Sequence, residues 1–366
     1  MNARTFAKYL RRNPVSRPCG AGYSRAAVIP AYDEEAELPH TLDALAEALR
    51  NAPRPVAVIV VVNHPPGTSE KSSLAVLRHL AGRADIPGLE WLYAPGLSGG
   101  VGAARKLGMD AFVSAQTAAD ADDTLIFSLD ADTRVAKNYF PVLEDAFLKH
   151  PEAGFATAGF RHETGATPEL EHAIREYEAY LRDYAAGLRR AGSPYAFTSI
   201  GSAFAVRGSV YIRSGGMKTR SAGEDFYFLQ QCAKCGGLFE VAETLVFPSA
   251  RRSGRNPFGT GPALENLLAG KPLRRTPPEA FELLKFLLAA ADTSALDTPD
   301  GLPAAVPRTA RDFLIGEKFP KAWRNILANT PPADRRRAFD CWFDGLRTLR
   351  FLHSVSGTDG TRKLPD

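Results

Sequence analysis

Two carboxylates stand two residues apart at the end of an apolar run, Leu125-Ile126-Phe127-Ser128-Leu129-Asp130-Ala131-Asp132. Along a strand, residues i and i+2 point the same way, so a strand through this run converges Asp130 and Asp132 on one point where it stops. Mg2+ and Mn2+ take one or two carboxylates and complete their shells with water and substrate phosphates, so the pair suits a phosphate-bearing substrate. A strand end followed by a polar turn accounts for the same residues without any chemistry. A second acid pair, Glu224-Asp225, follows Gly223 and opens a helical pattern. The helix dipole and free backbone N–H groups favour acids there, so capping alone also explains it.

The elements that must position these groups alternate along the chain. Ala26 to Pro30, Val56 to Val62, Leu89 to Tyr93 and Thr124 to Leu129 are short apolar runs, while Leu38, Leu42, Leu45 and Leu49, and then Leu74, Leu77 and Leu80, recur at helix spacing. Such alternation predicts an α/β fold with a mostly parallel central sheet flanked by helices. Ligands in such sheets bind beyond the C-terminal strand ends. Four loops are therefore expected to open on one crevice: Pro30 to Glu35, Asn63 to Gly67, Pro95 to Gly100, and the Asp130/Asp132 turn.

The second half reads differently. Leu170, Ile174, Tyr177, Leu181, Tyr184 and Leu188 form an a/d seam on a predicted helix of about five turns. Phe197 to Val206 and Leu238 to Phe247 read as strands, the latter running into Arg251, Arg252 and Arg255. Beyond Gly261, the helical stretches Phe281 to Ala291, Ala310 to Ile315 and Arg335 to Leu352 predict a small helical appendage. The expected organisation is a basic arm over 1–24, an α/β domain over 25–260 and a helical region over 261–366.

Composition narrows the class. The 366 residues carry a formal net charge of +4 with acids and bases interleaved, which makes no case for nucleic acid. No run approaches the roughly 18 apolar residues of a membrane span. Met1 to Tyr32 contains no Asp or Glu but has Arg4, Lys8, Arg11, Arg12, Arg17 and Arg25. This reads as a solvated, partly disordered basic tail, with adhesion to anionic lipid as the alternative. Four cysteines are too few for a disulfide framework, and Cys232-x-x-Cys235 has no second pair at zinc spacing. The expected location is the cytoplasm, with peripheral contact at the inner face of a membrane if the arm binds lipid.

Five motifs in order carry a resemblance. VIPAYDEEAELPHTLDAL (Val28 to Leu45), GGVGAARKLG (Gly99 to Gly108), SLDADT (Ser128 to Thr133), IGSAFAVR with the later glycine pair (Ile200 to Gly216), and GED (Gly223 to Asp225) together resemble family 2 glycosyltransferases of the GT-A fold. The match runs from about Val28 to Phe247. It implies transfer of a sugar from a nucleotide-diphosphate sugar to an acceptor hydroxyl, normally with inversion. By this resemblance Asp132, with Asp130, binds Mn2+ or Mg2+ as a Lewis acid for the diphosphate. Arg105 and the Gly100 loop add positive charge and amides there. Asp225 is the base with Glu224 beside it, and Pro30, Tyr32 and Glu34 contact the nucleoside.

Three departures qualify it. Asn63-His64 stands where the family usually has paired aspartates, and an amide both donates and accepts, so uracil recognition is compatible but no longer implied; a UDP-sugar is the favoured donor, with GDP-sugar as the alternative. No His lies between His172 and His353 to serve as a third metal ligand, leaving water to complete the shell or Arg251, Arg252 and Arg255 to carry diphosphate charge. The Gln-x-x-Arg-Trp signature of processive relatives is missing. The acceptor, a glycan, a lipid-linked carrier or a small molecule, stays open. Rival readings are a sugar-nucleotide-binding protein without transfer activity, and a phosphatase with Asp130 as nucleophile, although Arg134 occupies the position where such phosphatases carry Thr or Val.

Overall fold

The computed structural model of the protein describes residues 1–251 and 259–356. The chain divides into two compact units, one of Met1–Glu178 and Ser199–Pro272, the other of Ala179–Thr198 and Leu273–Asp366.

Among the described residues the first unit is built on eight strands: β1 (Arg25–Ala31), β2 (Ala57–His64), β3 (Leu89–Pro95), β4 (Leu125–Ser128), β5 (Thr133–Val135), β6 (Ala153–Phe160), β7 (Phe204–Arg207) and β8 (Gly237–Pro248). They form one sheet in the order β3-β2-β1-β4-β7-β6-β8-β5. β1, β2 and β4 are buried at every position. Strands covered on both faces read as continuous apolar runs, which is why Ala57 to Val62 shows no alternation. β1 pairs in parallel with β2 and β4, β2 with β3, and β6 with β8, whereas β7 runs antiparallel between β4 and β6 and β5 antiparallel to β8. The sheet is mostly parallel, as expected. Its helices are α1 (Ala3–Arg12), α2 (Leu38–Leu49), α3 (Lys71–Ala81), α4 (Gly100–Ser114), α5 (Tyr139–Lys149), the first part of α6 (Pro168–Arg190), α7 (Gly208–Arg213), α8 (Glu224–Cys235) and α9 (Thr260–Leu268).

Two local expectations change, and one strand is unexpected. β4 stops at Ser128, so Asp130 and Asp132 lie in a turn rather than at successive outward positions of a strand. The strand expected over Phe197 to Val206 is confined to Phe204–Arg207, because a turn at Gly201-Ser202 precedes it. β6, with sequence AGFATAGF, carries no strand signature since Ala and Gly are poor strand formers. Its glycines serve close packing: a Cβ on Gly159 would lie 2.4 Å from the Glu243 carbonyl oxygen.

The basic N-terminal segment is ordered rather than a free tail. α1 buries Phe6 and Tyr9, and the Tyr9 hydroxyl donates to Asp110 Oδ1 at 2.6 Å. Arg25 opens β1, is buried, and donates from Nε to Glu144 Oε2 at 3.1 Å. An arginine paired inside the sheet is not available to a lipid surface, whereas Arg4, Lys8, Arg11 and Arg12 are exposed on α1.

The seam of α6 is shared out. Leu170 and Ile174 pack with Ala250 of the segment after β8 and Leu264 of α9, and the buried Glu178 accepts from the His162 amide at 2.6 Å and from Arg175 at 3.0 Å. Leu188 belongs to the core of the second unit, with Tyr184 packed against it. That unit comprises the remainder of α6 with α10 (Pro278–Ala290), α11 (Gly301–Ala305), α12 (Arg308–Gly316), α13 (Phe319–Leu327), α14 (Arg335–Trp342) and α15 (Gly345–Val355). Leu284, Phe319, Trp323, Phe339 and Phe351 are fully buried in it, and Trp323 Nε1 donates to the Leu296 carbonyl at 2.9 Å. Among the described residues no helix is long and apolar enough to cross a membrane.

Candidate active site

The turn after β4 is held by its return into the sheet. The Thr133 amide donates to the Asp130 carbonyl at 3.2 Å, and Thr133 to Val135 then pair with Pro248 to Val246. The Ser249 amide extends that pairing to the Asp132 carbonyl at 3.0 Å, which carries Arg251 alongside the turn. Arg251 Nε lies 3.0 Å and Nη2 2.9 Å from Asp132 Oδ2, and Nη2 also pairs with Glu34. Glu34 is 7% exposed and follows Asp33, whose φ of 58° lies in the left-handed region that Asp tolerates better than most residues. One guanidinium thus ties together the ends of β1, β4 and β8.

A second guanidinium ties the turn to α8. α4 starts hard against residues 218–221: the Gly102 amide donates to the Arg220 carbonyl at 3.2 Å, and a Cβ there would lie 2.3 Å from the Lys218 carbonyl oxygen, so only glycine fits. Gly100 lies against Ser221 in the same way. One turn further, Arg105 is 1% exposed. Its Nη1 donates to Ser128 Oγ at 2.5 Å and to the Leu129 carbonyl at 3.2 Å; its Nη2 donates to Asp130 Oδ1 at 2.6 Å and reaches Glu224 Oε1 at 3.5 Å. A buried guanidinium is tolerated only with carboxylate partners and hydrogen bonds, and these supply both its terminal nitrogens, while Nε is buried without a partner among the described residues. Ser128 Oγ in turn donates to the Gly201 carbonyl at 2.7 Å.

α8 begins after Gly223, which sits at φ 69°. Glu224 is 5% exposed and faces Arg105, whereas Asp225 is only partly buried and accepts the Phe226 amide on Oδ1 at 2.7 Å. At the end of β2, Asn63 is buried and its Oδ1 has no hydrogen-bond partner among the described residues. A buried acceptor left unsatisfied costs stability unless something pairs with it. His64 Nδ1 is 3.2 Å from Ser73 Oγ. Pro30 lies within β1 opposite Val61, and Tyr32 follows that strand partly exposed.

The sequence pattern described as Glycosyl transferase family 2 matches residues 26–213, about half of the chain. The chain belongs to glycosyltransferase family 2. Residues 26–213 include the turn with Asp130 and Asp132, Arg105 and Asn63, while Glu224, Asp225 and Arg251 follow them in the same unit. As a glycosyltransferase the chain transfers a sugar, which sets aside the phosphatase reading of Asp130.

Solved structures similar to this glycosyltransferase include TarS 1-349 of S. aureus in complex with UDP, 12% identical over 93% of this chain and 94% of that one, with a TM-score of 0.45. The mannosyltransferase PcManGT of Pyrobaculum calidifontis in complex with GDP-Man and Mn2+ is 15% identical over 98% and 94%, with a TM-score of 0.44. Glucosyl-3-phosphoglycerate synthase of Mycobacterium tuberculosis in complex with Mn2+, UDP-glucose and phosphoglyceric acid is 14% identical over 75% and 85%, with a TM-score of 0.43. No curated protein matches the chain.

Of the residues singled out in the sequence, Asp130, Arg105 and Glu224 meet directly, and Asp132 meets Glu34 through Arg251. Arg252 and Arg255 lie outside the described residues. Ser128, which holds Arg105 directly, and Gly201, which accepts from Ser128, lie within the SLDADT and IGSAFAVR motifs, but a serine at a strand end and a glycine in a turn do not by themselves announce those contacts. Among the described residues no three His, Cys, Asp or Glu side chains gather as a ready-made metal site. The side chains of Asp130 and Asp132, 33% and 24% exposed, nonetheless offer carboxylate oxygens, the donor type that suits a hard cation sharing its shell with phosphate and water.

Burial, and then the charge of Asp225, pushes the Glu224 carboxyl up to about 7, and burial likewise raises Asp225. The folded chain therefore holds protons at Glu224 more tightly than the unfolded chain does. This contribution to stability is present below the ordinary 4.5 and is lost as pH rises to about 7. Activity has the opposite slope, since a base must be ionised. Because burial raises Asp225, with Asp225 as base we expect the acid limb of the kcat profile, falling about tenfold per pH unit, to lie above the ordinary carboxylate range, read from a rate profile between about pH 4 and 9. An acid limb within the ordinary carboxylate range would exclude a base with raised proton affinity.

Proposed function

We propose that this protein is a metal-dependent, inverting glycosyltransferase that uses a nucleotide-diphosphate sugar. The observation that carries the reading is the Arg105 guanidinium, which joins Asp130 to Glu224 and so links the carboxylate turn to the acid pair of α8. Asp132 and Asp130 are the residues to hold Mn2+ or Mg2+, which would lend Lewis acidity toward the leaving diphosphate. Arg105, the Gly100 turn and, beyond the described residues, Arg252 contribute positive charge or amides on the same side. Asp225 takes the proton from the acceptor hydroxyl, and Glu224, fixed by Arg105, orients and electrostatically tunes it. Pro30, Tyr32, Glu34 and Asn63 form the nucleoside side. The Asn63 Oδ1, without a partner among the described residues, can accept an imide N–H, and its NH2 can donate to a ring carbonyl, a pattern met by uracil and also by guanine; a UDP-sugar is favoured and a GDP-sugar is the alternative.

The test is incubation with Mn2+ and a panel of UDP- and GDP-sugars, following release of the nucleoside diphosphate and protection against thermal unfolding. One donor should do both, and EDTA should abolish the release. Protection without release under any acceptor condition would instead support a binding protein, and neither effect would overturn the donor class.

The acceptor is proposed to be a glycan or a lipid-linked carrier. The exposed Arg4, Lys8, Arg11 and Arg12 of α1 recur at helix spacing opposite the buried Phe6 and Tyr9, and each basic residue near an anionic bilayer contributes about 1 kcal/mol of attraction. Sedimentation with phosphatidylserine vesicles should therefore be salt-sensitive. It should weaken on changing these four residues to glutamine, and equal binding after that change would remove the membrane role of α1.

A further inference from the structure

The pairing of Arg251 with Asp132 goes beyond charge balance. Arg251 presents Nε and Nη2 to one oxygen of Asp132, at 3.0 and 2.9 Å, and its Nη2 also pairs with the buried Glu34. It is not a loose surface arginine. The β5–β8 pairing and the bond from the Ser249 amide to the Asp132 carbonyl fix its backbone, and its neighbour Ala250 is buried against Leu170, Ile174 and Leu264. No histidine is available in this part of the chain as a neutral metal ligand, since none occurs between His172 and His353.

We infer that Arg251 is a resident counter-cation of Asp132, a positioning residue that makes cation binding conditional on the donor diphosphate. This rests on the reading of Asp132 as the cation site. With the guanidinium in place, a divalent ion approaching Asp132 meets a like charge in a partly buried site, so the ion alone binds weakly. A nucleoside diphosphate changes the balance, because its oxygens accept the arginine fork as well as a carboxylate does and bring charge enough for both cations. Glu34 keeps its hold on Nη2 while the guanidinium pivots from Asp132 to the diphosphate. Cation and nucleotide then bind cooperatively, each raising the affinity of the other by the same factor.

Calorimetry on the full chain tests this, with Mn2+ alone and with Mn2+ in the presence of UDP or of GDP. In the unaltered protein the effective nucleotide should tighten Mn2+ binding at least about tenfold. Arg251→Gln, which can still donate to Glu34, should bind Mn2+ alone at least about tenfold more tightly than the unaltered protein and bind the Mn2+–nucleotide pair more weakly, so the coupling collapses. Arg251→Lys retains the charge and should leave the affinity for Mn2+ alone low, a distinction that a merely structural role would not produce. Should the Gln variant fail to fold, Arg251→Met replaces it. Asp132→Ala separates the two levels. If it abolishes Mn2+ binding while Arg251→Gln leaves the affinity for Mn2+ alone unchanged or weaker, the role of Arg251 is overturned and the cation site stands. If Asp132→Ala leaves Mn2+–nucleotide binding intact, the cation site itself is wrong.

Discussion

Asp225→Asn should lower turnover by roughly two to four orders of magnitude while leaving donor affinity nearly unchanged, the range associated with removing a general base. Asn keeps the shape of the side chain and can still accept the Phe226 amide that Asp225 Oδ1 accepts at 2.7 Å, so the start of α8 is preserved. Only the ability to take a proton is lost. Glu224→Gln should cost less, because Glu224 is buried against Arg105 and is less able to meet an acceptor hydroxyl than the partly exposed Asp225. Steady-state kinetics on both variants decide the order. A more severe defect in the Glu224 variant would move the base to Glu224 and give Asp225 the supporting role.

The second large effect is expected at the β4–β5 turn. Asp132→Ala should cut Mn2+-dependent donor affinity by about two to three orders of magnitude, matching the several kcal/mol that a bridging cation supplies to a diphosphate. The fold should survive, because Asp132 lies in a partly exposed turn and its backbone bond from Ser249 does not depend on its side chain. Chelation of the metal should reproduce the loss in the unaltered protein, and the variant should be indifferent to chelator. Unchanged calorimetric affinity in a folded variant would show that the donor is held without Asp132, and the arginines would then be the main diphosphate ligands.

Residue types and periodicity were enough for the class of fold, because a sheet buried on both faces needs continuous apolar strands and its crossovers need amphipathic helices. They were enough for the family as well, since the motif residues from Val28 to Asp225 stand in one order along the chain. They were not enough for β6, whose Ala and Gly composition reflects close packing against β8 rather than strand propensity. Nor did an acid-free run reveal that Arg25 is buried against Glu144 or that Tyr9 docks α1 on Asp110. Those partners lie 119 and 101 residues away, beyond the reach of any local pattern.

The same division applies to the site. The Asp130/Asp132 and Glu224/Asp225 pairs could be picked out as chemistry-bearing from their types and spacing, and Arg105 from the family resemblance, although the strand face expected to carry Asp130 and Asp132 is replaced by a turn beyond Ser128. Which charge meets which was decided by tertiary structure alone. Arg105 reaches Asp130 and Glu224 because Gly102 lets α4 start against residues 218–221, and Arg251 reaches Asp132 and Glu34 because β5 pairs antiparallel with β8. A charged side chain carries no sequence record of its partner. Electrostatic pairing depends on separation in space, and only the folding of the sheet brings residues 34, 132 and 251 onto one guanidinium.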